Sequence, residues 1–233
     1  MMPDSTFDWA DSTADTRMDS AAAKTLFARI SRDHGFLLAK RPALGSAPRA
    51  LWHERVGTPA KVLSIAGPVS DITVLSRPKR QGSGPARAFL LAAVLHSGKP
   101  ILLLPQKRVS HIGKRIAIGW NQSAHAANAV TAALPILKQA ERVVIVSCGR
   151  ENRVGPKSSH LAAYLCHWGI KTERISTRGV DVDREMLQAY QDAGSDLLVM
   201  GGYSRSPLRE LVFGGVTNTL LFTTDIPVLM LHR

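Results

Sequence analysis

The segment that decides the fold is Ser195-Asp196-Leu197-Leu198-Val199-Met200-Gly201-Gly202, an apolar run followed directly by two glycines. A short apolar run bounded by polar residues and glycines is typical of a strand that is buried on both faces. A similar run, VVIV, occupies positions 143–146. Because such strands belong to parallel sheets covered by helices, the sequence predicts an α/β fold.

Strands and helices alternate regularly around this segment. Over residues 111–233 we predict five strands, at 115–119, 142–147, 171–176, 197–201 and 228–231. Helices are predicted between them at 123–140, 159–168, 183–193 and 215–223. Pro135 should kink the first of these helices, because proline removes a backbone hydrogen bond. The alternation indicates a complete domain with a doubly wound five-stranded parallel sheet.

A shorter alternation precedes this domain. It predicts a helix at 21–34, a loop at 36–48, a strand at 50–55, a helix at 59–66, a strand at 72–75, a helix at 85–96 and a strand at 101–104. The segments 70–75 and 99–104 repeat 195–200 and 226–231 at offsets of 125 and 127 residues. At these offsets the position that answers Ile116 falls before Met1, so the first copy is predicted to lack its opening strand, helix and second strand. Residues 21–110 are therefore predicted to form an incomplete copy of the same fold, preceded by a disordered tail at 1–20 that is rich in Asp, Ser and Thr.

The charge of the chain leaves nucleic-acid binding open as a lesser alternative. The net charge is +12, with 16 basic and 8 acidic residues in 1–110 and 14 basic and 10 acidic residues in 111–233. Aromatic residues make up only 6% of the chain, which leaves few platforms for base stacking. The simpler interpretation of the positive net charge is a basic, solvated surface. No leader-like segment or apolar run of 18 residues occurs, so we expect a soluble, cytoplasmic protein with Cys148 and Cys166 reduced.

Two glycine pairs form the strongest candidate site. Gly201-Gly202 leaves a predicted strand, and Gly214-Gly215 opens a predicted helix. Glycines bare their backbone N–H groups, and a helix N-terminus adds further donors, so together they suit a phosphate. Hydroxyl groups and positive charge are available nearby from Ser204, Thr217, Arg205 and Arg209. Neither GxxxxGK[ST] nor GxGxxG is present. The alternative is that the glycines only make tight turns.

Residues 114–233 resemble the universal stress protein (UspA-like) family. The resemblance lies in the opening RIAIGWNQS at 115–123 and in a closing Gly-x2-Gly-x9-Gly-Ser/Thr signature. Gly201 and Gly214 match its first and third glycines, whereas Ser204 and Gly215 stand at the second glycine and at the Ser/Thr. Asn121 stands where the family has an acidic residue after the first strand.

The resemblance implies a particular architecture. It implies strand order 3-2-1-4-5, the adenine nucleotide alpha hydrolase-like fold, in a tandem-type protein. Loss of the first two strands of the first copy should leave a gap in that sheet, through a truncated frame, a misassigned start or a partner that fills it. It also implies pairing of the last strands, 101–104 with 228–231, within the chain or in a homodimer.

The resemblance further implies a function in the stress response, with ATP or another adenine nucleotide as ligand. Magnesium is expected only if the nucleotide carries it, and no catalytic residue or metal site is expected beyond slow incidental hydrolysis. The implied ligand-binding residues are Gly119, Asn121, Met200, Gly201, Ser204, Gly214, Gly215, Val216 and Thr217. Because two signature positions depart, a nucleotide-free interaction or regulatory module of the same fold remains the alternative.

The remaining polar residues carry weaker signals. The eight histidines lack metal-ligand spacing, so each is expected to be exposed or satisfied within the fold. The basic residues in the loop 76–84 are expected to be solvated, with an anion site as the alternative. Asp181, Asp183 and Glu185 should serve the N-terminus of the helix that follows them.

Overall fold

The computed structural model describes residues 9–78, 84–202 and 224–232. The described residues fall into two compact units, divided between Val56 and Gly57. Each unit is described by itself.

The first unit contains one long helix and two short strands. Helix α1 spans Trp9–Asp33, strand β1 spans Leu37–Ala39 and strand β2 spans Arg49–Leu51. The strands pair in parallel, with Leu37 opposite Arg49. The prediction was wrong in two places here, because β1 lies inside the expected loop and β2 is shorter than the expected strand at 50–55. The three-residue strand β1 is too short to show an alternating pattern.

The predicted tail at 1–20 is also corrected by this unit. Residues 9–20 belong to the backbone of α1, and residues 1–8 lie outside the described part of the chain. The polar composition of this segment suggested disorder. However, extending a helix that has already formed adds one backbone hydrogen bond per residue without a new nucleation cost. The alanines at 21–23, which are the best helix formers, supply that start.

The second unit alternates strands with helices. Its first part contains α2 (Pro59–Ala66), β3 (Thr73–Ser76), α3 (Gly84–His96) and β4 (Ile101–Leu104). Its second part contains β5 (Arg115–Gly119), α4 (Ala124–Leu137), β6 (Arg142–Cys148), α5 (Ser158–His167), β7 (Glu173–Thr177), α6 (Val182–Asp192), β8 (Leu197–Gly201) and β9 (Val228–Leu231). The predicted helix at 215–223 lies outside the described residues.

One seven-stranded sheet runs through this unit in the order β3-β4-β9-β8-β5-β6-β7. Strands β7-β6-β5-β8-β9 are parallel and reproduce the expected order 3-2-1-4-5. The predicted fold class is therefore confirmed. The strands β2 and β3 lie in different sheets.

The two copies join through their last strands, as the resemblance implied. Strand β4 pairs antiparallel with β9 within the chain, with Ile101 opposite Met230 and Leu103 opposite Val228. These four side chains are buried. The pairing thus leaves neither β4 nor β9 as an exposed edge strand. It also joins the residues on both sides of the junction into a single core.

The core has one apolar layer on each face of the sheet. Neighbouring residues of a strand point to opposite faces, so Leu198 packs into one layer while Leu197 and Val199 pack into the other. Helices α3 and α6 contribute to the layer of Leu198, and α4 and α5 contribute to the second layer. Both faces of the sheet are thus covered, as the apolar strands require.

Helix α4 starts one residue later and ends three residues earlier than its predicted limits of 123 and 140. Ser123 is its N-cap, and its side chain accepts a hydrogen bond from Ala126 N at 3.2 Å. Pro135 lies within the last turn, and the helix ends two residues later at Leu137. A proline this close to the end disturbs little of the helix, because few residues follow it.

Arg77 is buried at the junction, although the sequence predicted a solvated basic loop. Its Nη2 donates to the carbonyl oxygen of Ile226 at 2.7 Å, and its backbone N–H donates to Leu104 O at 2.8 Å. Burial lowers the pKa of Arg77 to about 10, against an opposing effect of Asp225. Arg77 therefore remains charged at neutral pH and ties the end of β3 to the segment before β9. The neighbouring positions 79–83 lie outside the described residues.

We expect Arg77→Ala to destabilise the protein by roughly 1–3 kcal/mol, because the buried Ile226 carbonyl would lose its charged donor. Urea unfolding followed by circular dichroism measures this change. Arg184→Ala is the matched control, since Arg184 is exposed on α6, and its cost should stay within about 0.5 kcal/mol. Equal stability of the two variants would contradict a role for Arg77 at the junction.

Candidate functional site

The first candidate site lies where the carboxyl ends of β5 and β8 meet. These neighbouring parallel strands place Gly119 opposite Met200. The chain leaves β5 towards β6 on one side and returns through β8 to β9 on the other, so the strand order reverses between β5 and β8. In doubly wound sheets ligands bind in the crevice at such a switch point. The predicted residues Gly119, Asn121, Met200 and Gly201 are all brought to this crevice.

The strand residues at this crevice are small or apolar. A Cβ atom on Gly119 would lie 3.3 Å from Met186 Cε and 3.5 Å from Met200 Cβ. Met186 is buried, while Gly119 and Met200 are half-buried. The Cβ position of Gly119 is therefore in close contact with the side chains of both methionines.

Asn121 uses its side-chain oxygen within the protein. Its Oδ1 accepts hydrogen bonds from the Ser123 hydroxyl at 2.6 Å and from Ser123 N at 3.2 Å. This arrangement supports the N-cap of α4. Asn121 is exposed, and its Nδ2 donates no hydrogen bond to the described residues. A ligand would therefore meet a donor here, where the family residue would offer a carboxylate acceptor.

The structure assigns Gly201 a different role from the predicted one. A Cβ atom on Gly201 would lie 2.5 Å from Ala126 N and 2.6 Å from the His125 carbonyl carbon. The glycine thus allows the first turn of α4 to pack directly on β8. The next amide, Gly202 N, already donates to Leu231 O at 2.8 Å. The packing of Gly201 on α4 and the hydrogen bond of Gly202 to β9 each give this pair a structural role. The sequence had predicted phosphate binding for the same pair.

The other predicted ligand-binding residues lie outside the described part of the chain. They are Ser204, Gly214, Gly215, Val216 and Thr217. Their participation in a site stays a prediction.

Two histidines that the sequence did not single out flank the glycine pair. The rings of His125 and His232 stack with their centroids 5.8 Å apart and their planes 13° apart. His125 Cβ is one of the atoms nearest to the Cβ position of Gly201, and His232 Cβ lies close to that of Gly202. His125 Nδ1 is buried and has no hydrogen-bond partner within the described residues. The spacing of residues in the sequence could not reveal this pair, because the two histidines are 107 positions apart. They meet only when α4 packs beside β9 in the folded protein.

Gln122 fixes the loop 149–157 beside the crevice. It adopts a left-handed conformation (φ 61°) and is buried. Its Nε2 donates to Arg153 O at 3.1 Å and to Gly155 O at 3.2 Å, while its Oε1 accepts from Arg153 N at 3.2 Å. The neighbouring Trp120 adds a hydrogen bond from Nε1 to Pro156 O at 2.9 Å. The end of β5 therefore holds this loop at several points.

The carboxylates at the start of α6 lie as the sequence predicted, with Asp181 as the N-cap and Asp183 and Glu185 in the first turn. Asp181 caps the helix by accepting a hydrogen bond from Arg184 N at 3.2 Å. Glu185 accepts from Gly179 N at 2.6 Å, Val180 N at 2.9 Å and Asp181 N at 3.2 Å. The Thr177 hydroxyl and these three amides lower the pKa of Glu185 to about 2. The loop before α6 is thus organised around an ionised carboxylate.

The cysteines show no arrangement for nucleophilic catalysis. Both are free, and Cys166 is exposed on α5. Burial raises the pKa of Cys148, which keeps it in the less reactive thiol form.

The fold defines the class as a doubly wound α/β protein. Residues 122–232 match the model of the universal stress protein family. A universal stress protein of Methanocaldococcus jannaschii is 29% identical over 65 residues, which is 28% of this chain and 40% of that protein. The chain therefore spans about two fifths of this curated relative.

Two solved structures share the fold. A universal stress protein from Archaeoglobus fulgidus has a TM-score of 0.68 at 15% identity, over 98% of this chain and 84% of the other. A putative universal stress protein from Pseudomonas aeruginosa has a TM-score of 0.54 at 16% identity, over 91% of this chain and 78% of the other. The resemblance seen in the sequence is confirmed, because residues 122–232 match the family model and the curated relative is a universal stress protein.

A search for membrane-spanning helices gave a negative result. Among the described residues, none of the helices combines the length and apolar character needed to cross a bilayer.

We expect Gly201→Ala to lower the free energy of unfolding by roughly 1–3 kcal/mol, because the methyl group would collide with backbone atoms of α4. Gly202→Ala is the control, since its methyl group would meet the side chains of Met230 and His232 at 3.2 Å or more. Urea unfolding of both variants measures the difference. A loss for Gly202→Ala as large as that for Gly201→Ala would contradict the packing role.

We expect Glu185→Gln to remove a pH-dependent part of the stability. The pKa of Glu185 in the folded protein lies below its ordinary value of 4.5, so its stabilisation is complete above about pH 5 and is lost as the pH falls towards 2. The stability difference between wild type and variant should therefore shrink as the pH falls from 5 to 2. Urea unfolding at a series of pH values tests this. Glu141→Gln, which removes an exposed carboxylate, is the control and should change stability much less.

Proposed function

We propose that the domain at 111–233 binds an adenine nucleotide as part of a stress response, without being an enzyme. The observation that carries this proposal is the crevice at the switch point between β5 and β8, with Gly119 and Met200 at its base. Ligands of doubly wound folds bind at this point of the sheet. The likeness to universal stress proteins supports an adenine nucleotide as the ligand.

In this proposal the base lies against Gly119 and the two methionines. The methionine side chains at 186 and 200, which lie against Gly119, offer soft, adaptable contacts to a flat ring. Asn121 Nδ2 is the donor available to the base or ribose. The phosphates would extend towards Ser204, Gly214, Gly215, Val216 and Thr217.

A second candidate function is a nucleotide-free interaction module. It is favoured by the hydrogen bonds that already satisfy Gly202 N and Asn121 Oδ1. The packing of Gly201 on α4 also favours the interaction module, because this packing explains the glycine without any ligand.

Calorimetric titration of the full chain with ATP, ADP and adenosine separates the two functions. Nucleotide binding predicts saturable heat with ATP. Gly119→Ala should weaken it by about tenfold or more, because one added methyl group in a fitted pocket costs about 1–3 kcal/mol. Gly84→Ala is the matched control, since a Cβ atom there meets nothing within 4 Å. Its affinity should equal that of wild type.

The absence of heat and of a thermal shift with millimolar ATP would refute nucleotide binding and favour the interaction module. Binding that Gly119→Ala leaves unchanged would place the nucleotide elsewhere. Thermal denaturation of both variants without ligand verifies that they fold.

A further inference from the structure

A second cavity opens at the carboxyl ends of β6 and β7, one strand further along the sheet than the crevice. It is an open cleft of about 550 Å³. Seven residues line it, namely Gly149, Arg150, Glu151, Lys157, Ser176, Thr177 and Arg178. We call it the β6–β7 cleft.

Three cations of the β6–β7 cleft lack a counter-ion. Arg150, Lys157 and Arg178 are exposed, and none of them forms an ion pair with the described residues. Among the described residues, ion pairs join Arg142 to Glu173 at 2.7 Å and Lys114 to Glu141 at 3.3 Å. Three unpaired positive charges around one cavity repel one another, and an anion in the cavity would relieve that repulsion.

The acidic residue in the cleft is already engaged. Glu151 Oε1 accepts hydrogen bonds from Ser158 N at 2.7 Å and from the Ser147 hydroxyl at 2.9 Å. Burial opposes the ionisation of Glu151, but these hydrogen bonds outweigh it and lower its pKa. Glu151 therefore anchors the loop to α5 as a carboxylate. With one negative and three positive charges, the cleft keeps a net positive charge.

Two glycines bring the arginines together. Gly149 (φ 86°) and Gly179 (φ 78°) both adopt left-handed conformations. A Cβ atom on Gly179 would lie 2.4 Å from Gly149 Cα, so the loops after β6 and β7 touch backbone to backbone. Arg150 follows one glycine and Arg178 precedes the other. Their side chains therefore leave from neighbouring points of the cleft.

The loop that carries Arg150 and Lys157 is held in place before any ligand arrives. Gln122 and Trp120 bind its far part through Arg153, Gly155 and Pro156. The loop after β7 is held in turn by Glu185 through the amides of residues 179–181. A site whose cations sit on fixed loops loses less conformational entropy on binding.

The chemistry of the cleft fits a phosphate group. Guanidinium groups bind phosphate oxygens in a bidentate manner, and Lys157 adds a charge at the N-terminus of α5. Ser176 and Thr177 add hydroxyl groups to the lining. A volume of about 550 Å³ lies in the range of small-molecule sites.

We propose that the β6–β7 cleft binds a small phosphorylated molecule through Arg150, Lys157 and Arg178. This site is distinct from the proposed nucleotide crevice at β5 and β8 and does not depend on it. Its ligand is a small anion with two or more negative charges.

Titration of the full chain with inorganic pyrophosphate tests this proposal. Wild type should bind it saturably. The double variant Arg150→Gln/Arg178→Gln should lose about tenfold in affinity for each arginine, since a hydrogen bond to a charged group contributes about 1.5–3 kcal/mol. The control is Lys114→Gln/Lys171→Gln, which removes the same charge from exposed residues before the amino ends of β5 and β7. Its affinity should stay within about twofold of wild type, because charges at the far edge are screened by salt.

Two results would overturn the proposal. One is no saturable binding of pyrophosphate by wild type at millimolar concentration. The other is an equal loss of affinity in both double variants, which would show a diffuse effect of net charge. The test of the nucleotide crevice is separate, because it depends on Gly119→Ala, which leaves Arg150 and Arg178 in place. Failure of either site therefore leaves the result for the other intact.

Discussion

The second unit depends on the antiparallel pairing of β4 with β9. Strands β3 and β4 form only a two-stranded piece of sheet, and two strands alone are marginally stable in water. Pairing with β9 places β3 and β4 at one edge of a seven-stranded sheet and buries Ile101, Leu103 and Val228. Arg77 reinforces the same junction through the Ile226 carbonyl. The strands β3 and β4 are therefore stabilised by the edge that β9 supplies.

A parallel sheet also decides where function can lie. All five parallel strands of the second copy end at the same edge, so the loops that follow them converge there. The crevice at β5 and β8 and the β6–β7 cleft share this edge but differ in character. The strand residues Gly119 and Met200 make the crevice small and apolar, whereas three unpaired cations make the cleft electropositive. The apolar crevice therefore suits a flat ring, whereas the electropositive cleft suits a phosphate.

Much of the fold could be predicted because its strands are buried on both faces. The limits 101–104, 115–119, 197–201 and 228–231 were all correct, since an apolar run bounded by turn residues leaves little choice. The strand β1 was missed because three residues are too few to show an alternating pattern, and the first part of α1 was missed because its composition is polar. The family resemblance supplied the strand order and the β4–β9 pairing, which local patterns cannot specify.

The candidate sites were harder to predict, because residue type does not fix a residue's role. The glycine at 201 suggested a bared amide, yet the tertiary contact that requires it comes from Ala126 and His125, some 75 positions earlier. The same reasoning explains the cleft. Arg150 and Arg178 are ordinary surface arginines in the sequence, and only the contact of Gly149 with Gly179 makes them neighbours. A glycine with positive φ after each of two adjacent parallel strands is therefore a signal worth testing in related sheets, because it allows two loops to touch and their flanking cations to converge.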